Sequence, residues 1–195
     1  RCAAFLNNVQ LGEYAGFSRG FEVYDPAAGR VDRILTRLDD WLRHLEGAPF
    51  FAYLHLLETH WPYKPRRRHV AQFGGNRDTN RFCGFSARDY ARLRRAVSRG
   101  ETSLSQQDLQ EMIQMYDAAV RRVDGKIKLL HRVLETHGLN DSTLLTITAD
   151  HGEEFFDHGD LGLGHPLYEE VTHVPLVMKW PGGPQNCRYD GPVSL

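Results

Sequence analysis

Cysteine is scarce in this sequence, which has only three thiols in 195 residues, at Cys2, Cys83 and Cys187. The three lie far apart, their number is odd, and no Cys-x-x-Cys pair occurs. Thiolate zinc sites use closely spaced pairs, and disulfide scaffolds use a dense, even set. The sequence therefore argues against both kinds of site, and it leaves the redox compartment open.

An excess of charge and a long apolar run are also absent. The formal net charge is -1 at pH 7, which gives no reason to expect nucleic acid or an anionic membrane as a partner. The basic run at residues 64–69 is too short to change this, and we interpret it as a solvated loop. No apolar run reaches the roughly 20 residues of a membrane-spanning helix. With 41% apolar and 25% charged residues, the chain suits one globular domain with its own core.

Several common catalytic motifs are missing. The sequence contains no His-Glu-x-x-His zinc motif, no Gly-x-Ser-x-Gly elbow, no P-loop and no Gly-x-Gly-x-x-Gly fingerprint. His151 and His158 are seven residues apart, and neither is followed directly by a glutamate. A helix-borne metalloprotease site is therefore a poor interpretation.

Helical and strand patterns alternate along the chain. Apolar residues at three- and four-residue steps predict helices from Asp32 to Gly47 and from Gln106 to His137, with a shorter one over Asp89–Val97. Apolar or β-branched runs predict strands at residues 2–6, 49–57, 143–148 and 174–180, and residues 64–85 are expected to be irregular. Ser105 and Gly138 suit the two ends of the longest helix. This alternation predicts an α/β fold with a mainly parallel sheet flanked by helices, its strands buried on both faces.

Polar residues follow two of the predicted strands. Asp150 and His151 come directly after "TLLTIT", and His60 follows "PFFAYLHLL". In such folds ligands bind at the carboxyl ends of the strands. Asp150 and His151 could ligate Ca²⁺, Mg²⁺, Mn²⁺ or Zn²⁺, and Gly152 would supply the freedom for the turn. Taken alone, Asp150 fits a helix N-cap beside a surface histidine at least as well.

The remaining histidines and acids admit plainer interpretations. His60 is either structural or catalytic on local evidence, and His55 is expected to be a packed histidine of the strand or of its end. His165, in a glycine-rich turn, either delivers its imidazole to a ligand or belongs to a plain loop. The acids that follow Gly152 are expected to shape and solvate the loop; they are Glu153, Glu154, Asp157 and Asp160.

The order of four segments carries a family resemblance. The chain reads "LHLLETHWPY", "MYDAAVRRVDGKI", "TLLTITADHGEEFFDHG" and then "GHPLYEEVTHVPLVMKWPG". This succession resembles the sulfatase family of the alkaline-phosphatase superfamily, over nearly the whole chain. The resemblance implies that Asp150 and His151 bind a divalent cation, with Ca²⁺ the first choice and Mg²⁺ or Mn²⁺ the alternatives. It also implies that His60 contacts the sulfate, and that His165, near the place of a family lysine, contacts the substrate or acts as general acid.

The sequence departs from the family at two further motifs. Family members carry, near the N-terminus, an Asp-Asp metal motif and a Cys/Ser-x-Pro-x-Arg nucleophile motif. Neither is matched here, since the one adjacent aspartate pair, Asp39-Asp40, lies inside a predicted helix. We therefore expect residues 1–195 to be a partial sulfatase catalytic domain, incomplete at both ends and inactive alone, with a formylglycine nucleophile outside this chain. The implied function of the intact protein is the hydrolysis of sulfate esters of small molecules or carbohydrates. The alternatives are a phosphodiesterase, phosphonate hydrolase or phosphoethanolamine transferase of the same superfamily, or a non-catalytic fragment.

Overall fold

Strands and helices alternate along the chain, as the hydrophobic pattern predicts. The computed structural model describes residues 1–162 and 167–193. The strands are β1 (Cys2–Leu6), β2 (Val23–Asp25), β3 (Phe51–His55), β4 (Leu145–Thr148), β5 (Glu154–Phe155), β6 (Leu161–Gly162) and β7 (Leu176–Lys179). The helices are α1 (Val31–Leu42), α2 (Arg67–Gln72), α3 (Ala87–Ser98), α4 (Gln106–Thr136) and α5 (Glu169–Thr172), and two short 3₁₀ turns lie at Val9–Leu11 and Glu13–Ala15. In the described part of the chain, no helix is long and apolar enough to span a bilayer.

The first three strands form a parallel sheet in the order β2-β1-β3. Helix α1 connects β2 to β3 and packs against β1, which is the connection that two parallel strands in one sheet require. The other two pairings, β4 with β7 and β5 with β6, are antiparallel. The sheet thus brings the carboxyl ends of β1, β2 and β3 to one edge.

Helix α4 is the longest element and has well-defined ends. At its start, the Ser105 hydroxyl accepts a hydrogen bond from the backbone N–H of Asp108 at 3.1 Å, and the Asp108 carboxylate accepts one from the N–H of Ser105 at 2.9 Å. This reciprocal pair satisfies two backbone donors that would otherwise lack partners. The helix stops before Gly138, which takes a left-handed φ of +66°. The predicted helix is confirmed at both ends.

Two groups of buried side chains stabilise these elements, and α4 contributes to both. The aromatic cluster joins the segment after β3 to α2, α3 and the N-terminal half of α4. It consists of Trp61, Tyr63, Val70, Phe82, Val97, Met112, Met115, Ala118, Ala119 and Leu161. The sheet cluster joins β1, α1 and the C-terminal end of α4, and it consists of Ala3, Phe5, Ala28, Ile34, Leu38, Leu42, Leu45 and Leu134.

Two predictions about the local structure are wrong. Strand β3 is not buried on both faces, because the Phe51 and Tyr53 side chains, on one face, are 57% and 44% exposed. The segment 64–85 is not wholly irregular, because α2 forms within it and includes part of the basic run. Val70 is completely buried in the aromatic cluster, so a tertiary contact stabilises a helix whose own sequence gives only a weak signal.

Candidate active site at two strand ends

The loop that follows β3 is held in place by the start of α1. The backbone N–H of Val31, the first residue of α1, donates a hydrogen bond of 2.7 Å to the Glu58 carboxylate. A carboxylate is stabilised there by the free N–H groups and the positive end of the helix dipole. Two residues later, His60 is exposed, while Trp61 is buried in the aromatic cluster. Glu58 and Trp61 therefore fix the backbone on either side of His60.

The loop that follows β4 is held in place by α5. The backbone N–H of Gly152 donates a hydrogen bond of 2.7 Å to the carbonyl of Val171. A β-carbon at position 152 would lie 2.0 Å from the carbonyl oxygen of Glu170. We expected Gly152 to supply a turn, but it is needed for this close approach of two backbones. The contact fixes Asp150 and His151 directly after the strand.

The structure brings the two strand ends together. The imidazole rings of His60 and His151 have their centroids 6.1 Å apart and are nearly perpendicular, at 75°. On the other side of His151, its Nε2 atom lies 3.8 Å from an oxygen of the exposed Asp150 carboxylate. The three residues singled out from the sequence therefore share one location. His165 lies outside the described residues, so its predicted role stays a prediction.

Both histidines use the same ring nitrogen for a local hydrogen bond. The Nδ1 atom of His60 lies 2.6 Å from the carbonyl oxygen of Trp61, and that of His151 lies 2.7 Å from the carbonyl oxygen of Gly152. A carbonyl only accepts, so each Nδ1 carries the proton. In the neutral rings this leaves the lone pair on Nε2, which is the arrangement that metal-binding histidines use.

A half-buried carboxylate, Glu153, lies near the two histidines. Burial raises the pKa of Glu153, while the nearby Tyr63 hydroxyl and the charges of His60 and His151 oppose the rise. Burial also raises the pKa of the Tyr63 hydroxyl, and the charge of Glu153 adds to that rise. Glu153 is expected to shape and solvate the loop, and its partial burial fits the shaping role better than the solvating one.

Two more of the acids in this loop are structural rather than solvated. Glu154 is only 5% exposed and accepts a hydrogen bond of 2.8 Å from the backbone N–H of His158. Asp160 forms an ion pair of 3.2 Å with Arg94 of α3. These two contacts hold the segment between β5 and β6 in place.

Two residues on β3 lie near Asp150. His55 ends the strand and is half-buried, as predicted, whereas Tyr53 was not singled out from the sequence. Tyr53 and His55 lie on the same face of the strand, and both feel the charge of Asp150. Burial lowers the pKa of His55, and the charge of Asp150 opposes part of this effect. For Tyr53, burial is the largest cause that raises the pKa, and the charge of Asp150 adds to it. Their spacing of two residues in a strand is the signal that could have placed them on one face.

The described residues do not complete a metal site. Within 1–162 and 167–193, no group of three or more His, Cys, Asp and Glu side chains is arranged to hold a metal ion. Asp150 and His151 offer one oxygen and one nitrogen, whereas Ca²⁺ takes about six to eight oxygen ligands. The donor chemistry of this pair fits part of a cation site.

The chain resembles known proteins in both sequence and structure. A family model described as Sulfatase matches residues 8–195. The chain is 34% identical over 76 residues to iduronate 2-sulfatase of Homo sapiens, a match that covers 38% of this chain and 14% of that protein. It is 28% identical over 91 residues to arylsulfatase K of Bos taurus, covering 47% of this chain and 17% of that protein.

Two solved structures resemble the fold. BT4656, solved in complex with its substrate D-glucosamine-2-N,6-O-disulfate, gives a TM-score of 0.64 at 18% identity, covering 93% of this chain and 53% of that one. The phosphonate monoester hydrolase of Agrobacterium radiobacter gives a TM-score of 0.58 at 22% identity, and the match covers 80% of this chain and 34% of that one. The chain thus spans about half the length of one neighbour and less of the others. These likenesses establish an α/β fold of the alkaline-phosphatase type.

Proposed function

Because the chain belongs to the sulfatase family, we propose that its gene product hydrolyses sulfate esters. The observation that carries the proposal is the convergence of His60 and His151, with ring centroids 6.1 Å apart, at the carboxyl ends of two strands. Both Nδ1 atoms are already committed to backbone carbonyls. Each ring therefore has only Nε2 to offer to a ligand.

The reaction breaks the bond between sulfur and the ester oxygen, replaces the alcohol by a water-derived oxygen and returns a proton to the alcohol. In the proposal His60 contacts a sulfate oxygen. Since Nδ1–H already donates to Trp61, a donation from Nε2 requires the doubly protonated, cationic ring. In that form the ring places fixed positive charge beside the sulfate oxygens during cleavage. His165 is proposed as a second substrate contact or as general acid.

Asp150 and His151 are proposed as two donors of a divalent cation, Ca²⁺ in the first instance. A bound cation supplies positive charge next to the sulfate oxygens. The proposal places the other donors and a formylglycine nucleophile outside the 195 residues. This chain's contribution is to hold one carboxylate and one correctly oriented imidazole in place, through the backbone contact at Gly152.

The proposed substrate is a sulfated small molecule or carbohydrate. The names of the two curated relatives and the disulfated glucosamine bound to BT4656 support this class. A phosphonate or phosphate ester is the second candidate, since a phosphonate monoester hydrolase shares the fold. Sulfate has priority because the family model and the two curated relatives are sulfatases.

The test compares matched p-nitrophenyl sulfate and p-nitrophenyl phosphate with the full-length gene product. We expect faster turnover of the sulfate, and a loss of about 10²-fold in kcat/KM for His60→Ala and for His151→Ala. His44→Ala, at an exposed histidine near the end of α1, is the control and should keep wild-type activity. Faster turnover of the phosphate would assign the second candidate, and no turnover of either ester would refute both.

A further inference from the structure

A basic pocket continues from the His60 side of the molecule. One cavity of about 330 Å³ is lined by His60, Arg30, Lys64 and Arg122 among others. A second, of about 380 Å³, shares Arg30, Lys64 and Arg122 with it and extends to Arg77. Each is above the roughly 300 Å³ at which small-molecule sites begin. The shared lining joins the candidate active site to the second cavity.

Arg122 is the central residue of this pocket and is only 7% exposed. One terminal nitrogen donates to the Lys64 carbonyl at 3.4 Å, and the other lies 3.7 Å from the Asp32 carboxylate. Its Nε is buried without a hydrogen-bond partner among the described residues. A buried guanidinium with long contacts and a free donor retains capacity for a further anion.

Cations outnumber acids around the pocket. Five basic side chains line the two cavities, namely Arg30, Lys64, Arg66, Arg77 and Arg122, against the acids Asp32 and Glu58. Both acids are engaged, Asp32 by Lys126 and Glu58 by the N–H of Val31. In the part of the chain that the structure describes, four of the five cations form no ion pair; they are Arg30, Lys64, Arg66 and Arg77. A chain with a net charge of -1 thus concentrates unpaired positive charge at one site.

The local field is visible in two neighbouring groups. A hydrogen bond from Lys126, and then the charges of Arg122 and Arg66, lower the pKa of Asp32 despite its partial burial. Burial lowers the pKa of His69 first, and the surrounding arginines lower it further. In both groups the charges of Arg66 and Arg122 act in the direction that positive charge produces, beside the larger effects of the Lys126 hydrogen bond and of burial.

We propose that the basic pocket binds a second anionic substituent, a sulfate or a carboxylate, of the same substrate whose sulfate ester reaches His60. The inference rests on the proposed function and narrows its substrate class to multiply anionic saccharides. Planar guanidinium groups bind such oxyanions with two parallel hydrogen bonds. The shared lining of the two cavities favours a linked substituent over a free ion.

Kinetics with two substrates tests the proposal in the full-length gene product. The substrates are D-glucosamine carrying N- and 6-O-sulfates, and singly charged p-nitrophenyl sulfate. We expect Arg77→Met and Arg122→Met to lower kcat/KM for the disulfated sugar about tenfold more than for the aryl sulfate, which matches the loss of one charged hydrogen bond. Arg121→Met is the control, since Arg121 is exposed on the same helix and pairs with Asp124, and it should leave the ratio unchanged.

The position of Arg77, half-buried and outside the cavity that contains His60, keeps the test valid if Arg122→Met fails to fold. A ratio unchanged in Arg77→Met would overturn the proposal.

Direct binding separates this proposal from the proposed function. If the wild-type protein turns over no sulfate ester, titration calorimetry with the disulfated sugar still tests whether the basic pocket binds it. Binding weakened about tenfold by Arg77→Met, but not by Arg121→Met, supports the pocket. Equal binding to wild type and Arg77→Met refutes it. Inorganic sulfate that binds as tightly as the disulfated sugar, with the same dependence on Arg77, would show a free-anion site and overturn the linked-substituent proposal.

Discussion

The hydroxyl of Tyr63 lies close to the carboxylate of Glu153, so that the loop after β3 meets the loop after β4. Tyr63 is 3% exposed, and its ring packs at 4.6 Å from that of Trp61. His60 and His151, the candidate site residues, each lie close to this pair in the chain. The distance between the two histidines therefore depends on a tyrosine that itself belongs to the buried core.

Replacing Tyr63 by phenylalanine removes a hydroxyl that lies close to the half-buried Glu153 carboxylate. We expect the free energy of unfolding to fall by about 1–3 kcal/mol, measured by urea denaturation at pH 7. Tyr116→Phe is the matched control, because Tyr116 packs against the Tyr63 ring at 5.6 Å and its hydroxyl makes no hydrogen bond within the described residues. An equal loss in the two variants would show that the hydroxyl of Tyr63 has no special role.

Asp39 should give the folded state a dependence on acid pH. The hydrogen bond of 2.8 Å from His137 is the largest cause that lowers the pKa of Asp39, and Arg43 adds to it. Because the folded pKa lies below the unfolded value of about 3.9, the stabilisation is complete above that value and is lost as the pH falls through the folded pKa. Asp39→Asn should therefore flatten the decline in unfolding free energy below about pH 4.

Urea denaturation at a series of pH values between about 3 and 7 measures this slope. Asp40→Asn, at a neighbouring exposed carboxylate, is the control and should keep the wild-type slope. A wild-type slope in Asp39→Asn would rule out the proposed linkage between α1 and α4.

Gly152 and Gly125 should respond to alanine in opposite directions. A β-carbon at Gly152 meets the Glu170 carbonyl at 2.0 Å, so the backbones must separate, whereas a β-carbon at Gly125 meets nothing within 4 Å. We expect Gly152→Ala to lower the free energy of unfolding by roughly 1–3 kcal/mol. Gly125→Ala, inside α4, should raise it by about 0.5–1 kcal/mol. Chemical denaturation of both variants gives the comparison, and a stabilising Gly152→Ala would contradict the described loop contact.

The isolated chain should bind calcium weakly. Asp150 and His151 supply two donors, and no cluster of three or more was found among the described residues. A dissociation constant of about 10⁻³ M or weaker is expected, and Asp150→Asn should remove the binding. Titration calorimetry measures both. Micromolar affinity that survives Asp150→Asn would mean that the cation binds elsewhere.

The sequence predicts the structure best where a periodic pattern or a capping residue determines the local backbone. Helix α4 was predicted from its apolar stripe, with Ser105 at its start and Gly138 at its end, and the structure places it accordingly. His60 and His151 each follow a predicted strand, so their places at strand ends were predictable. Strands β3 and β4 belong to different sheets, so the contact between the two histidines depends on how those sheets pack.

Features that depend on distant contacts escaped the sequence. Helix α2 forms because Val70 is buried in the aromatic cluster. The six residues of the helix do not by themselves indicate that contact. Glu153 stands beside Glu154 in an acidic run, and its partial burial near Tyr63 depends on how two loops pack. The exposed face of β3 was not predicted for a related reason. An apolar run does not indicate which face of the strand packs against another element.

Helix α4 affects how the protein unfolds. Its 31 residues extend about 46 Å. Met112 and Met115 lie in the aromatic cluster, and Leu134 lies in the sheet cluster. Fraying of the helix at either end removes packing from one cluster and exposes the shared backbone to water. The two clusters are therefore mechanically coupled, and they should melt together in a single cooperative transition rather than one after the other.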